Sequence, residues 1–302
     1  MRTLSILVIA FVLVGFSTPA AIVHSYVAGN AGNNTTAWFD GTGSQNIDFT
    51  AGGIARNDVT GSATTFTKTY TASNAASDGG RADPFLSGSP TGSVILWLRK
   101  DFSALTDSPE VIFETGGAAN GFSISILEEG DIPKMLVRAT SSGDALPKYR
   151  LNLQDDSTGD PEFDDSDFIQ FALCFDGSTA SMYAHAVADD GRRNNTNQYD
   201  SATSLSGGNL AGLFNRADGT NGVGAADGVP FGNTGGNPND GEPYYTLVTG
   251  FTGDLAAVYV YDHKLTSQEI DDNFAGAIPE PGTVALVILG ATGLISRRRG
   301  PR

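Results

Sequence analysis

Residues 251–270 read FTGDLAAVYVYDHKLTSQEI, and this stretch decides the fold class. Its first half, Gly253 to Tyr261, contains Val and Tyr at close spacing and predicts a strand. Its second half contains Thr266-Ser267-Gln268-Glu269, in which the Thr266 hydroxyl and the Glu269 carboxylate can cap the first turn of a helix. We expect this short helix to continue through Ile270 to Phe274. The chain therefore closes on a strand followed by one short helix.

Upstream, short apolar runs recur between clusters of Gly, Asn, Asp, Ser and Thr, which is typical of short strands joined by turns. Residues 121–127 alternate strictly and place Phe122, Ile124 and Ile126 on one face of a strand. Residues 168–175 form a continuous apolar run ending at Asp176-Gly177, a hairpin turn signal, and residues 181–186 supply the partner strand. Further strand candidates are residues 46–49, 93–98, 111–114, 135–140 and 149–153. Because helical periodicity is missing before the C-terminal tail, the pattern predicts one all-β domain, an antiparallel sandwich.

Two long stretches interrupt this pattern. Residues 155–167 are acidic, and residues 189–243 are dominated by Gly, Asn and Asp, so both predict long surface loops. The single cysteine, Cys174, lies in the apolar run 168–175. We expect a buried, inert thiol there, because free cysteine is among the most buried residue types. One cysteine also rules out an intrachain disulfide.

The N-terminus has the order of a secretory signal peptide. Arg2 is followed by an apolar stretch from Leu4 to Phe16 and then by the small residues 17–21. We therefore expect residues 1–21 to be a signal peptide, cleaved after Ala20 or Ala21, and the protein to be exported.

The last 25 residues, 278–302, combine three elements in order. Pro279-Glu280-Pro281 ends the folded domain, the run 284–295 is apolar, and Arg297-Arg298-Arg299 follows it. The apolar run can enter a bilayer as a helix, and the arginines then stay on the cytoplasmic side. An ordinary membrane anchor that is never cleaved is one interpretation. The run has 12 residues, whereas a full span needs about 20.

This tail resembles the PEP-CTERM sorting signal of Gram-negative bacteria, which is handled by exosortase-type enzymes. The resemblance implies a short transmembrane helix that anchors the protein in the inner membrane before processing near Pro279-Glu280-Pro281. After processing, the protein would be retained at the cell surface or released into the extracellular matrix.

The chain is strongly acidic, with 34 Asp and Glu against 18 Lys and Arg and a formal net charge of −16. Such a surface repels nucleic acid and anionic lipid, so we expect no nucleic-acid partner and a membrane contact only through the C-terminal tail. The charge suits a soluble exported protein, and it can also attract divalent cations.

Several segments, in this order, resemble the LamG-like, concanavalin A-like jelly roll. The matching segments are 94–98, 111–117 leading into 120–124, the hairpin at 175–177, and the closing stretch 251–262 with 265–270. The resemblance covers about residues 35–276 and implies one domain of two packed antiparallel sheets. It also implies binding to glycans or proteins, sometimes through calcium, and no enzyme activity by itself.

A glycoside hydrolase is an alternative, because the same superfamily includes hydrolases with Glu-x-Asp-x-x-Glu on a strand. Retaining cleavage needs two carboxyl groups about 5–5.5 Å apart. The nearest string here, residues 269–273, lacks the second Glu and falls on the predicted helix. We therefore expect no catalytic residues.

Candidate ligand-binding residues are aromatic side chains in polar surroundings, which can stack on sugar rings. They are Trp38, Tyr199, Tyr244 and Tyr245. Trp97, between Leu96 and Leu98, is instead expected in the core.

For calcium, the candidates are Asp176 and Asp254, which lie at predicted strand–turn junctions. His24, His185 and His263 are far apart in the sequence and give no support for a transition-metal site. The sequence thus predicts an exported, surface-sorted, non-catalytic module that binds extracellular polysaccharide or a surface partner. A hydrolase on the same fold and a purely structural matrix protein remain the alternatives.

Overall fold

A computed structural model of the 302-residue chain gives the fold. It describes residues 21–35, 37–43, 46–49, 54–59, 66–73, 79–81, 85, 91–117, 120–141, 144–145, 149–153, 168–176, 180–186, 201–202, 221–223 and 249–276. The predicted sorting tail, the loop 155–167 and residues 1–20 of the predicted signal peptide lie outside this set. So does the loop 189–243, apart from residues 201–202 and 221–223.

The described residues form two sheets, paired antiparallel except where β17 runs parallel to β8. In chain order the strands are β1 (Ile22–Val27), β2 (Ala37–Trp38), β3 (Ile47–Asp48), β4 (Ile54–Asp58), β5 (Lys68–Ser73), β6 (Gly79–Arg81), β7 (Gly92–Arg99), β8 (Glu110–Gly117), β9 (Asn120–Glu128), β10 (Pro133–Ser141), β11 (Asp144–Ala145), β12 (Tyr149–Asn152), β13 (Ile169–Phe175), β14 (Ala180–Ala186), β15 (Ser201–Ala202), β16 (Asn221–Val223), β17 (Thr249–Gly250) and β18 (Thr252–Tyr261). The eight-stranded sheet runs β15-β14-β13-β7-β18-β5-β4, with β1 also on β18. The ten-stranded sheet runs β11-β10-β9-β8-β16-β6-β3-β2, with β12 on β10 and β17 on β8. The prediction of an antiparallel β-sandwich is confirmed.

The main core lies between the two sheets and follows from alternation along the strands. Ile124 and Ile126 of β9 are buried in the same cluster as Phe171 and Leu173 of β13, which belong to the other sheet. Successive side chains of a strand point to opposite faces, so every second residue of each strand reaches this core. The predicted apolar face of residues 121–127 is therefore the core face at Ile124 and Ile126.

Strand β13 is buried along its whole length because both of its faces are covered. Ala172 and Cys174 point away from the main core and join a second cluster with Trp97 and with Ile270 of helix α1 (Ser267–Phe274). A strand covered on both faces is apolar throughout, which accounts for the continuous run in the sequence. Burial raises the pKa of the Cys174 thiol to about 11, and the predictions for Cys174 and Trp97 are confirmed.

Helix α1 begins as the sequence predicts. The backbone N–H of Glu269 donates to Thr266 Oγ1, and the backbone N–H of Thr266 donates to Glu269 Oε2 at 2.8 Å. This reciprocal capping box satisfies two donors that a helix start otherwise leaves open.

Among the described residues, no helix is long and apolar enough to cross a membrane.

Three hydrogen bonds to buried side chains fix helix α1 on the eight-stranded sheet. Asn273 Oδ1 accepts from Trp97 Nε1 at 3.0 Å and from Gln170 Nε2 at 2.8 Å. Gln170 Nε2 also donates to the carbonyl oxygen of Ile270 at 3.2 Å. The helix therefore supplies the acceptors for polar groups that the sheet buries beneath it.

Asn273→Leu is expected to lower the free energy of unfolding by about 2–4 kcal/mol, because it leaves the Trp97 and Gln170 donors buried without this acceptor. The measurement is urea denaturation followed by tryptophan fluorescence. Gln268→Leu, at an exposed position of the same helix, is the control and should change stability by less than about 0.5 kcal/mol. Equal effects of the two variants would contradict the assigned role of Asn273.

The sandwich begins earlier in the chain than the resemblance indicates. Strand β1 pairs with β18, although the family likeness starts only at about residue 35. A buried hydrogen bond of 2.6 Å between His24 Nδ1 and Asp40 Oδ2 ties β1 to the next segment, and the Ser25 N–H donates to Asp40 Oδ1. Residues 22–27 therefore belong to the folded unit.

Candidate functional site

The predicted aromatic ligand residues are not brought together by the described structure. Tyr199, Tyr244 and Tyr245 lie outside the described residues. Trp38 is completely buried, with its ring centroid 4.9 Å from that of Tyr70 and 6.0 Å from that of Tyr26. The prediction of an exposed indole at Trp38 is wrong, because β2 turns this side chain toward Ile47 of β3 and into the main core. Its neighbour Phe39 is exposed.

The two predicted calcium residues are each bound to a cationic side chain. Asp254 Oδ2 accepts from Arg99 Nε at 3.0 Å and also binds Arg99 Nη2, while Thr71 Oγ1 donates to Asp254 Oδ1. Asp176 Oδ2 accepts from Lys264 Nζ at 2.9 Å. Asp254 lies within β18 rather than at a strand–turn junction.

These two carboxylates also lie at opposite ends of β7. Asp254 pairs with Arg99, whereas Asp176 follows Phe175, which pairs with Gly92. Seven residue steps along a strand separate these ends by about 23 Å. Among the described residues, no three or more His, Cys, Asp and Glu side chains are grouped to hold a metal ion. The described donors do not fit the six to eight oxygens that calcium prefers.

The outer face of the ten-stranded sheet carries a row of polar residues and glycines. Register places Asp48 of β3 opposite Gly80 of β6, Gly80 opposite Gly222 of β16, Gly222 opposite Glu114 of β8, and Glu114 opposite Ser123 of β9. Residues directly opposite each other in neighbouring strands share a face. We call these five residues the transverse row. It crosses five strands at right angles to their direction.

The transverse row lies on the face away from the main core. Phe113 and Ile124, which precede Glu114 and follow Ser123, are both buried between the sheets. Ile47, which precedes Asp48, is likewise in the main core. Alternation then directs Asp48, Glu114 and Ser123 to the outer face.

Two serine hydroxyls on this face are buried without a hydrogen-bond partner. Ser123 and Ser125 are both 0% exposed, and neither Oγ has a partner among the described residues. Ser125 is flanked by Val111 on β8 and Leu136 on β10, whose side chains offer no hydrogen bond. A buried polar group left unsatisfied costs about 1–3 kcal/mol, so each of these hydroxyls needs an explanation.

The middle of the transverse row is a floor without side chains. Gly80 and Gly222 separate Asp48 from Glu114 by three strand spacings, or about 14 Å between their Cα atoms. Gly116 and Gly121, which pair with each other on β8 and β9, extend this floor beside Glu114. Glycine lets another molecule approach the backbone closely. The floor therefore presents backbone rather than side chains at the middle of the row.

Exposure changes along the transverse row. Asp48 is exposed, whereas Glu114 and Ser123 are buried. Beyond Ser123, the next register position is Arg138 on β10. The row is thus open at its Asp48 end and closed at its Glu114 end, with the glycine floor between them.

The sequence contains a signal for part of this site but not for all of it. Alternation that puts Ile124 and Ile126 in the core also puts Ser123 and Ser125 on the opposite face, so their placement follows from local pattern. Glu114 ends a predicted apolar run, which marks the outer face less clearly. The meeting of Asp48, Gly80 and Gly222 with Glu114 depends on long-range register, which the sequence does not reveal.

No protein-family model matches the chain, and no curated protein matches it. Among solved structures, a NanB sialidase from Streptococcus pneumoniae shares 15% identity over 62% of this chain and 24% of its own, with a TM-score of 0.39. The binding domain of botulinum neurotoxin DC in complex with rat synaptotagmin II shares 11% identity over 84% of this chain and 51% of its own, with a TM-score of 0.47. The CBM40 of Ruminococcus gnavus IT-sialidase shares 11% identity over 60% of this chain and 80% of its own, with a TM-score of 0.34. The chain thus spans about a quarter of the first and half of the second, and likeness at this level assigns no function to it.

Proposed function

We propose that the protein is a non-catalytic binding module that holds an extracellular polysaccharide on the transverse row. The observation that carries the proposal is the pair of buried, unpartnered hydroxyls of Ser123 and Ser125. A saccharide presents many hydroxyl groups, each able to donate and to accept, and so can satisfy serine hydroxyls that the protein leaves open.

The placement of the hydrolase-like string supports binding rather than cleavage. Glycoside hydrolases bring two carboxyl groups together at one site. The string 269–273, which is nearest to the hydrolase pattern, lies on helix α1, on the opposite side of the sandwich from the transverse row.

The proposal extends to the family and the location. We infer a LamG-like, concanavalin A-like jelly roll, supported by the closing stretch 251–270 and by the two antiparallel sheets. We also infer an exported protein whose tail is processed by an exosortase-type enzyme, supported by the sequence of residues 278–302. Such a protein would present the transverse row to matrix polysaccharide at the cell surface.

The proposed function is tested with an array of neutral, amine-bearing and acidic oligosaccharides, followed by titration calorimetry of the tightest binder. Ser123→Ala with Ser125→Ala is expected to weaken binding by about tenfold, the loss of two hydrogen bonds of about 0.5–1.5 kcal/mol each. Because neither hydroxyl has a partner among the described residues, the same variant should be as stable as the parent or slightly more stable.

Ser93→Ala is the matched control, since Ser93 is equally buried but lies on β7, and its hydroxyl both donates and accepts a hydrogen bond. Ser93 Oγ donates to the His263 carbonyl oxygen at 2.8 Å and accepts from Leu265 N–H at 3.0 Å. This variant should lose about 1–3 kcal/mol of stability and keep its affinity. Unchanged binding by the double serine variant, or cleavage of the bound oligosaccharide, would overturn the proposal.

A further inference from the structure

Strand β1 starts directly at the end of the predicted signal peptide. Ala21 is exposed, whereas Ile22 is half-buried and packs against the second cluster, the one beneath helix α1. Ile22 lies opposite Tyr261 of β18, so continuing this register by one step places Ala21 opposite Asp262. The folded domain therefore begins at the predicted cut itself, whether the chain is cut after Ala20 or after Ala21.

The two possible cuts leave a new α-ammonium group in different surroundings. A cut after Ala21 puts this charge on Ile22, which packs against the second cluster together with Tyr261. Moving an ammonium group toward apolar side chains costs hydration free energy. A cut after Ala20 puts the charge on the exposed Ala21 instead, where water reaches it.

The residue opposite Ala21 is an acid. Directly opposed residues of antiparallel strands have Cα atoms about 4.5–5.5 Å apart, so Asp262 lies within reach of an ammonium group on Ala21. The Asp262 side chain is 48% exposed, and its Oδ1 lies 3.0 Å from His263 Nδ1. The nearby cation Lys264 is held by Asp176 at 2.9 Å. The end of β18 thus offers a carboxylate at the place where the mature chain would begin.

The sequence before the cut favours the same choice. Signal peptides end in an Ala-x-Ala-like pattern, with small residues at the first and third positions before the cut. A cut after Ala20 has Ala20 and Thr18 at these positions, whereas a cut after Ala21 has Ala21 and Pro19. Proline has a fixed φ and no backbone N–H to donate. The pattern and the fold therefore both favour Ala20 as the last residue removed.

We propose that the mature chain begins at Ala21 and that Asp262 holds its α-ammonium group at the end of β18. The inference rests on the proposed export of the protein, because it names the bond cleaved and the contact that the product makes. Hydrolysis of the Ala20–Ala21 peptide bond consumes one water and leaves a carboxylate on Ala20 and an ammonium group on Ala21. The contact then fastens the start of β1 to β18 once the signal peptide is gone.

The first test is expression of the full-length chain in a Gram-negative host, followed by mass spectrometry of the N-terminal peptide of the exported protein. We expect this peptide to begin at Ala21. A processed chain that begins at Ile22 or elsewhere would overturn the inference and leave export standing. A chain that keeps residues 1–20 would refute the proposed export and this inference with it, whereas polysaccharide binding is tested separately by the oligosaccharide array.

The second test measures the rate at which the Ala21 amine of the exported protein is acylated at about pH 7 and about 20 mM salt. A neighbouring carboxylate favours the charged ammonium form, which does not react. Asp262→Asn is therefore expected to raise the acylation rate about threefold, the effect of one exposed ion pair, and Asp262→Glu should react like the parent. Salt at about 500 mM should reduce the difference to below about 1.5-fold.

Asp107→Asn is the matched control, because it removes an exposed carboxylate from the loop that follows Arg99. Arg99 lies at the opposite end of β7 from Ser93, which pairs with Tyr261, so this variant should leave the acylation rate unchanged. In urea the parent and Asp262→Asn should react equally, since residues 21 and 262 meet only in the folded chain. Equal rates in the folded proteins, or a difference that persists in urea, would overturn the contact with Asp262.

Discussion

Lys100→Met is expected to lower the free energy of unfolding by about 3–5 kcal/mol, because it leaves a buried carboxylate without its counter-ion. Lys100 Nζ donates to both Glu110 Oε1 and Glu110 Oε2 at 2.9 Å, and the Lys100 side chain is 2% exposed. Once the ammonium group is lost, the Thr252 N–H, which donates to Glu110 Oε2, is the hydrogen-bond donor that remains to Glu110 among the described contacts. Guanidinium chloride denaturation at neutral pH measures the loss.

Lys134→Met provides a matched control, since it removes the same charge from a second Lys–Glu pair. Lys134 Nζ donates to Glu129 Oε2 at 3.0 Å, but the Glu129 side chain is 33% exposed and water can replace the lysine. The expected loss is at most about 1 kcal/mol. Adding Glu110→Leu to Lys100→Met should recover much of the stability, because the uncompensated charge is then gone. A loss below about 1 kcal/mol for Lys100→Met alone would refute the buried-pair argument.

Local patterns predict the elements that carry their own signals. The alternation in β9, the apolar run and turn of β13 and β14, and the strand and capping box of β18 and helix α1 all lie where the sequence indicates. In each case the signal is a short period or a fixed capping distance, so it does not depend on distant residues.

Elements whose burial depends on distant partners are not predicted by local sequence patterns. Strand β5 reads KTYTAS and looks polar, yet Tyr70 is buried because β5 pairs with β18, more than 180 residues away in the sequence. Strand β1 follows directly on a predicted signal peptide, and it is held in the sheet by pairing with β18 and by a hydrogen bond to Asp40.

The candidate site divides in the same way. Ser123 and Ser125 follow from alternation beside Ile124 and Ile126, but the glycine floor exists only after β3, β6, β16 and β8 have found their register. The hydroxyls are thus a local property of one strand. The glycine floor is a property of the assembled sheet.

Trp38→Ala is expected to cost about 3–5 kcal/mol of stability, the usual loss for a fully buried aromatic side chain. Its indole packs in the main core against the rings of Tyr70 and Tyr26. Tyr70 cannot move to close the cavity without breaking the hydrogen bond that its hydroxyl donates to the Asn34 carbonyl oxygen. Phe39→Ala is the adjacent control: Phe39 is 36% exposed, and its truncation should cost less than about 0.5 kcal/mol. Thermal and urea unfolding of the two variants measure the difference.

Ligand affinity of the same two variants then separates packing from recognition. If Trp38 serves only the core, any binding lost in Trp38→Ala should return at a temperature where that variant is fully folded, and Trp38→Phe should bind like the parent. Alternation from Trp38 puts Phe39 on the side away from the core, at the edge strand next to Asp48. A loss of affinity in Phe39→Ala without a loss of stability would therefore assign the aromatic ligand contact to Phe39, on the outer face, instead of to Trp38. A stable, folded Trp38→Ala with lost affinity would instead contradict the buried position of the indole.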